Sequence, residues 1–110
     1  MATVIRERDI KAYLLARIKA LGGEARKVRW EGRRGAPDWR VMAGGAWRLA
    51  VPNEDGLKRF RTAVLCWAEL KAPGEKCEPH QLREHTRMRK HGETVYVFDS
   101  FQSIDEVLPL

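Results

Sequence analysis

The stretch that most constrains this chain is Thr62 to Lys71, where six consecutive apolar residues, Ala63-Val64-Leu65-Cys66-Trp67-Ala68, run directly into Glu69-Leu70-Lys71. A run this short, stopped by Ala72-Pro73-Gly74, reads as a central strand covered on both faces. With a period of two, Leu65, Trp67, Glu69 and Lys71 share one face, so an acid and a base emerge side by side where the strand ends. Taken alone, such a pair also fits a structural ion pair at a sheet edge.

The flanking sequence supplies the rest of a small domain. Ile10, Leu14, Ile18 and Leu21 recur on one helical face and predict a helix from about Val4 to Leu21, with Thr3 able to cap it and Gly22-Gly23 ending it. The period then changes. Val28 and Trp30 alternate with Lys27 and Arg29, and a Gly/Arg-rich turn leads into a short strand from Asp38 to Ala43. Gly44-Gly45 is expected to close a hairpin-type turn into a further strand, Ala46 to Val51, before a polar loop over residues 52–56. Trp47 and Trp67 are expected in the core by their alternation. Pro79 suits the first position of a helix running to about His91, and Thr94 to Phe98 reads as a buried strand. Ser103, three residues before Glu106, has capping-box spacing for a terminal helix. The order αββββαβα predicts one α/β domain over residues 1–110, a mixed central sheet flanked by helices.

Charge narrows the partners. The 110 residues carry 21 Lys and Arg against 15 Asp and Glu, a formal charge of +6, and 14 of the 21 cations are Arg, whose planar fork matches phosphate. A nucleic acid is the expected partner. No run is long enough to cross a bilayer and no signal-peptide core opens the chain, which argues against membrane and secreted readings. The two cysteines, Cys66 and Cys77, do not make a disulfide framework, so a reducing cytoplasm is expected. Together with His80, His85 and His91 they lack the paired spacing of a structural zinc site. Nothing suggests a small-molecule cofactor.

Three carboxylates stand out by position. At 100° per residue Glu7 falls at the centre of the Ile10, Leu14, Ile18, Leu21 stripe, which predicts that it faces the interior beside a metal, a lysine or a polar cavity. An acid in a frayed first turn is the other reading of the same residue. Pro37 sets the backbone entering the second strand and projects Asp38 at its start. If Asp38 and Glu69 converge from adjacent strands, they can hold a hard divalent cation through oxygen, with the backbone carbonyl of Leu70 as a third ligand. Lys71 is then placed to orient a water and stabilise developing negative charge.

In this order, Gly32-Arg33-Arg34-Gly35-Ala36-Pro37-Asp38, Glu69-Leu70-Lys71-Ala72-Pro73-Gly74 and Pro79-His80-Gln81 resemble the catalytic signature of the PD-(D/E)XK nuclease superfamily and, more narrowly, the VRR-NUC domain. With Glu7 in the first helix and Val95-Tyr96-Val97-Phe98-Asp99-Ser100 after the second, the resemblance spans nearly the whole chain. It implies a restriction-endonuclease-like fold and a Mg²⁺- or Mn²⁺-dependent DNA endonuclease. Asp38 and Glu69 would be metal ligands, Lys71 the water-positioning residue, Gln81 an active-site partner, and Glu7 an acid completing the site. Stand-alone members of this kind resemble junction resolvases, often phage-borne. The resemblance thus implies a homodimer acting on branched or four-way DNA in a bacterial or phage-infected cell. Two features depart from the pattern. Glu78 precedes Pro79 where Ser or Thr is more usual, and the stretch from Gly44 to Cys66 is longer than a tight hairpin needs.

Among the remaining cations, Arg26, Lys27, Arg29, Arg33 and Arg34 lead into Asp38 and are expected to contact phosphates. Arg83, Arg87 and Lys90 lie about 150° from Gln81 on its helix, so they read as a solvated face. Trp30 and Trp39 border the Arg-rich turn, where they either pack or stack on an unpaired base. The apolar tail, Phe101, Ile104, Val107, Leu108 and Leu110, either covers the sheet or contributes to a dimer interface. A DNA-binding module without catalysis is the alternative function that charge alone allows.

Overall fold

Helix α1 spans Glu7–Ala20, its buried stripe being Ile10, Leu14 and Ile18. It starts later than the apolar spacing suggests because the Asp9 carboxylate accepts the Arg6 backbone N–H at 2.8 Å, which fixes the first turn there. In this computed structural model the backbone is described for residues 4–49 and 59–109 and the side chains for 4–44 and 64–109, so the expected cap Thr3 lies outside the described residues. Gly22, at φ 71°, turns the chain out of the helix in the left-handed conformation that glycine adopts without strain.

The chain then forms β1 (Glu24–Lys27), β2 (Trp39–Leu49), β3 (Arg59–Leu70), α2 (Pro79–Lys90), β4 (Val95–Phe98) and α3 (Phe101–Val107). The sheet order is β1-β2-β3-β4, with the first two pairings antiparallel and β3 parallel to β4 across α2. This is the mixed α/β sheet expected from the sequence, with one strand fewer. Gly44-Gly45 is not a turn: it lies within β2, where the register against β3 shifts between Gly44 and Trp47. Glycine serves a bulge as readily as a hairpin, and here it lets one long strand continue. The expected polar loop at residues 52–56 lies outside the described residues. The first strand also comes earlier than its alternation suggests, although the Val28 N–H still donates to the Asp38 carbonyl at 2.7 Å.

One face of the sheet, carrying Val41, Ala43, Cys66, Ala68, Leu70 and Phe98, packs on α1 and α3 through Ile10, Leu14, Ile18, Ile104 and Leu108. Each such aliphatic side chain, fully buried, contributes about 1.5–3 kcal/mol of transfer free energy. Tyr13 and Phe101 stack at 4.4 Å, Tyr13 Oη donates to Asp105 at 2.7 Å and Arg17 donates to the Leu108 carbonyl at 2.8 Å. The apolar tail is therefore spent on this core as far as Leu108, while Leu110 lies outside the described residues. α3 is capped by Ser100, whose Oγ accepts the Ser103 N–H at 3.0 Å, so the expected cap at Ser103 is instead the third residue of the helix. Trp67 departs from the expected core position as well. It stands on the opposite face from Cys66 and Ala68, against Trp30 at 5.0 Å and under the Arg40 guanidinium at 5.2 Å. The Trp47 side chain lies outside the described residues. Among the described residues no helix is long and apolar enough to cross a membrane.

Candidate active site

The pairing of β2 with β3 sets Trp39 opposite Ala68, so one step further the register brings Asp38 opposite Glu69. Both side chains point away from the core formed by Ala68 and Leu70, toward the face crossed by α2. Lys71 follows on the same side and is held against the sheet edge because its N–H donates to the Phe98 carbonyl at 3.0 Å. These groups line a cleft of about 520 Å³ at the end of the strands, together with Glu7, Arg8 and Lys11 of α1 and His80 and Gln81 of α2.

Gln81 is locked by two contacts. Its Oε1 accepts the Glu78 backbone N–H at 2.7 Å, which leaves its Nε2 to donate to Glu69. A glutamine at the third position of a helix is the sequence pattern that permits this cap, so the Ser or Thr missing before Pro79 is not needed to shape the turn. Gly35 allows the two sides of the cleft to meet. At φ 87° it lies against the first turn of α2, and a Cβ there would stand 2.7 Å from the His80 carbonyl oxygen. The glycine before Pro37-Asp38 therefore permits the approach of the Asp38 turn to the Gln81 helix.

Electrostatically the cleft has an acidic floor and a basic rim. Glu69 is 7% exposed and Lys71 is 8% exposed, whereas Glu7 is exposed at the rim. The expectation that Glu7 faces the interior is thus corrected. It sits exposed at the first helical position, one turn before the first buried residue of the stripe, Ile10, yet it still borders the cleft. Burial pushes the Glu69 carboxyl up to about 7, Lys71 opposes the rise, and Asp38 and Glu7 add to it. Lys71 Nζ lies 3.6 Å from Glu75 and Lys27 Nζ lies 3.5 Å from Asp38. Arg8 and Lys11 went unnoticed in the sequence, although helical spacing from Glu7 puts Lys11 on the same side.

The five basic residues before Asp38 divide into two groups. Lys27 lines the cleft, and Lys27, Arg29 and Arg33 line a neighbouring hollow. Arg26 turns to Glu24 at 2.8 Å, and neither Arg26 nor the exposed Arg34 lines these two cavities. On α2, Arg87 bonds the buried Glu84 at 2.5 Å while Arg83 and Lys90 are exposed. Cys66 belongs to the core, where burial pushes its thiol up to about 11.

Among the described residues no three His, Cys, Asp or Glu side chains enclose a cation unaided. The donor set still fits Mg²⁺ or Mn²⁺. Mg²⁺ usually takes one or two carboxylates and completes its shell with water and substrate phosphates, and a buried glutamate that resists ionisation beside two other acids is relieved by a cation. A consequence is measurable without substrate. The folded-state value of Glu69 lies above its ordinary 4.5, so its contribution to stability is present below about 4.5 and is lost as pH rises through about 7. Relative to Glu69→Gln, the metal-free protein should therefore lose melting temperature between pH 5 and 8, and Mg²⁺ should restore it at pH 8 far more than at pH 5. A pH-independent difference between the two proteins would show that Glu69 is not strained in this way.

No protein-family model matches the chain. It is 39% identical over 106 residues, 96% of its length and 95% of the relative's, to a protein named as nuclease p44 of Acyrthosiphon pisum secondary endosymbiont phage 1. A solved VRR_NUC domain is 38% identical and superposes with a TM-score of 0.66, covering 91% of this chain and 90% of the other. The four-stranded mixed sheet with its flanking helices is thus the fold of a VRR_NUC domain. The chain belongs to the VRR-NUC family.

Proposed function

We propose that the chain is a divalent-metal-dependent endonuclease that hydrolyses phosphodiester bonds in branched DNA, four-way junctions included, as a homodimer. The observation that carries this reading is the convergence of Asp38, Glu69, Lys71 and Gln81 on one cleft under a rim of Arg8, Lys11 and Lys27. Asp38, Glu69 and the Leu70 carbonyl would hold Mg²⁺ or Mn²⁺, which when bound polarises the scissile phosphate and acidifies a water.

The chain's own residues do the remainder. The rim cations draw the backbone phosphates in and orient them over the floor. Lys71, held at the strand end, orients the attacking water and stabilises charge developing on the phosphate oxygens. Gln81 keeps the Glu69 carboxylate in one rotamer. Glu7, from the other wall, adds negative charge that favours the cation. Glu7→Gln should consequently slow single-turnover cleavage by ~10²-fold, the scale on which a misplaced catalytic group is felt. Its metal-free melting temperature should hold or rise. Unchanged cleavage would return Glu7 to the role of a helix-start acid.

A two-fold homodimer would set two identical clefts on opposed strands of a junction that is itself two-fold symmetric. The test is a panel of linear, flapped and four-way DNA incubated with Mg²⁺ or Mn²⁺, with light scattering on the same preparation. Preferential cutting of branched members by a dimer is expected. Equal cutting of linear duplex would remove the branch selectivity, and a monomer at micromolar concentration would remove the paired-cut geometry.

A further inference from the structure

Beside the cleft lies a second hollow of about 500 Å³, lined by Lys27, Val28, Arg29, Trp30, Arg33 and Asp38 among others. It shares Lys27, Ala36 and Asp38 with the cleft, so the two adjoin at the residue just before β2. We propose that this hollow receives one unpaired nucleotide of the DNA strand adjoining the scissile bond, with its base stacked on Trp30. The inference rests on the nuclease reading of the cleft and adds to it the feature that selects the substrate.

Trp30 is built as a fixed platform. Its Nε1–H donates to the Pro37 carbonyl at 2.7 Å, which satisfies its polar edge, and its ring is braced by Trp67 at 5.0 Å and 51°. What the half-buried indole still offers is apolar π surface, which stacks on any base without reading its identity. Around it stand cations with loose partners. Lys27 and Arg33 have side chains 64% and 58% exposed and lie 3.5 and 3.8 Å from Asp38 and Glu84, so both can turn to phosphate. Arg29 is exposed. An aromatic wall with three cations, Lys27 at the end of β1 and Arg29 and Arg33 on the loop after it, suits the base and backbone of a single strand. The volume falls in the range of sites for small ligands and is suited to one nucleotide rather than a paired duplex.

Selectivity follows from the cost of filling the hollow. A base drawn from a duplex must first be unpaired and unstacked, whereas one in a flap or gap is already free, and one at a branch point has lost a stacking neighbour. Stacking of one base on an aromatic ring is worth roughly 5- to 150-fold in affinity, which compensates only part of that cost for duplex but acts in full for an unpaired position. The hollow therefore favours DNA with an unpaired nucleotide at the cut.

The experiment measures binding of flapped and four-way DNA to the intact protein in chelator, with successive nucleotides near the branch made abasic. One position is expected at which loss of the base weakens binding by roughly 5- to 150-fold. That penalty should disappear in Trp30→Leu and return largely in Trp30→Phe. Since Trp30→Leu also removes the bond to Pro37 and could unfold the turn, 2-aminopurine at the sensitive position of the DNA gives a readout on the unaltered protein. Its fluorescence should be quenched on binding. No sensitive position, an unquenched probe, or an equal penalty in a folded Trp30→Leu protein would each overturn the proposal. Cleavage with Mg²⁺ but no sensitive position removes the hollow's role and leaves the nuclease reading intact. A sensitive position without cleavage of any DNA removes the nuclease reading and retains the hollow as a binding site.

Discussion

Asp38→Asn and Glu69→Gln should each abolish DNA cleavage while leaving binding in the absence of metal within a few-fold of the parent. Both substitutions keep side-chain shape and remove one charge from the cleft floor, where the two residues face each other across β2 and β3. Losing a ligand to a cation that contributes several kcal/mol to the transition state implies a rate loss on the order of 10³-fold or more. The variants should separate in stability: Glu69→Gln removes a buried carboxyl that resists ionisation, whereas Asp38→Asn removes a half-exposed one beside Lys27. Lys71→Ala should also lose rate, with metal affinity retained because its amine is not a ligand. Near-parental turnover in Asp38→Asn or Glu69→Gln under Mg²⁺ would contradict the assignment of the floor. Lost metal affinity in Lys71→Ala with normal chemistry at saturating metal would reverse the role of the lysine.

Gly35→Ala should lower both stability and cleavage. Its φ of 87° is strained for any residue with a Cβ, and the added carbon would stand 2.7 Å from the His80 carbonyl oxygen and 3.0 Å from the Gln81 Cα. The conformation alone costs about 1–3 kcal/mol, and the clash forces the Asp38 turn and α2 apart, so Gln81 loses Glu69. A small domain should then melt roughly 4–8 °C lower per kcal/mol, with cleavage falling further than stability alone explains. Gly32→Ala is the matched control. It has φ 69° and nothing within 4 Å of an added Cβ, so it carries the conformational cost without the clash. Equal melting points and equal cleavage in the two variants would show that the approach of the turn to α2 is not needed.

Much of this site was readable before the fold was known. Glu69 and Lys71 were marked by parity on a strand whose apolar run had only one plausible place in a sheet, and Pro37 fixed where Asp38 would leave the backbone. The α1 stripe predicted Ile10, Leu14 and Ile18 in the core for the same reason, since helical periodicity survives any tertiary context that buries one face. What escaped was information that local sequence does not carry. A Gly-Gly pair permits both a turn and a bulge, and only the pairing of β2 with β3 decides between them. Glu7 follows the stripe in angle but is the first residue of α1 and borders an open cleft, so periodicity gives its direction and not its burial. Trp67 shares parity with Glu69 and so could not also share the face of Cys66 and Ala68. Parity therefore carries the signal, and the common burial of tryptophan runs against it. Arg8 and Lys11 line the cleft because α1 begins at its rim.

The most direct test of the central reading is single-turnover cleavage of a four-way or flapped DNA by the purified chain, with and without Mg²⁺ or Mn²⁺, beside Asp38→Asn purified identically. The expected result is cutting that requires the divalent ion, stops on chelation, resumes when the ion is restored and is missing from the variant. Cleavage that survives chelation, or that persists in Asp38→Asn, would contradict a metal-dependent site built on Asp38 and Glu69.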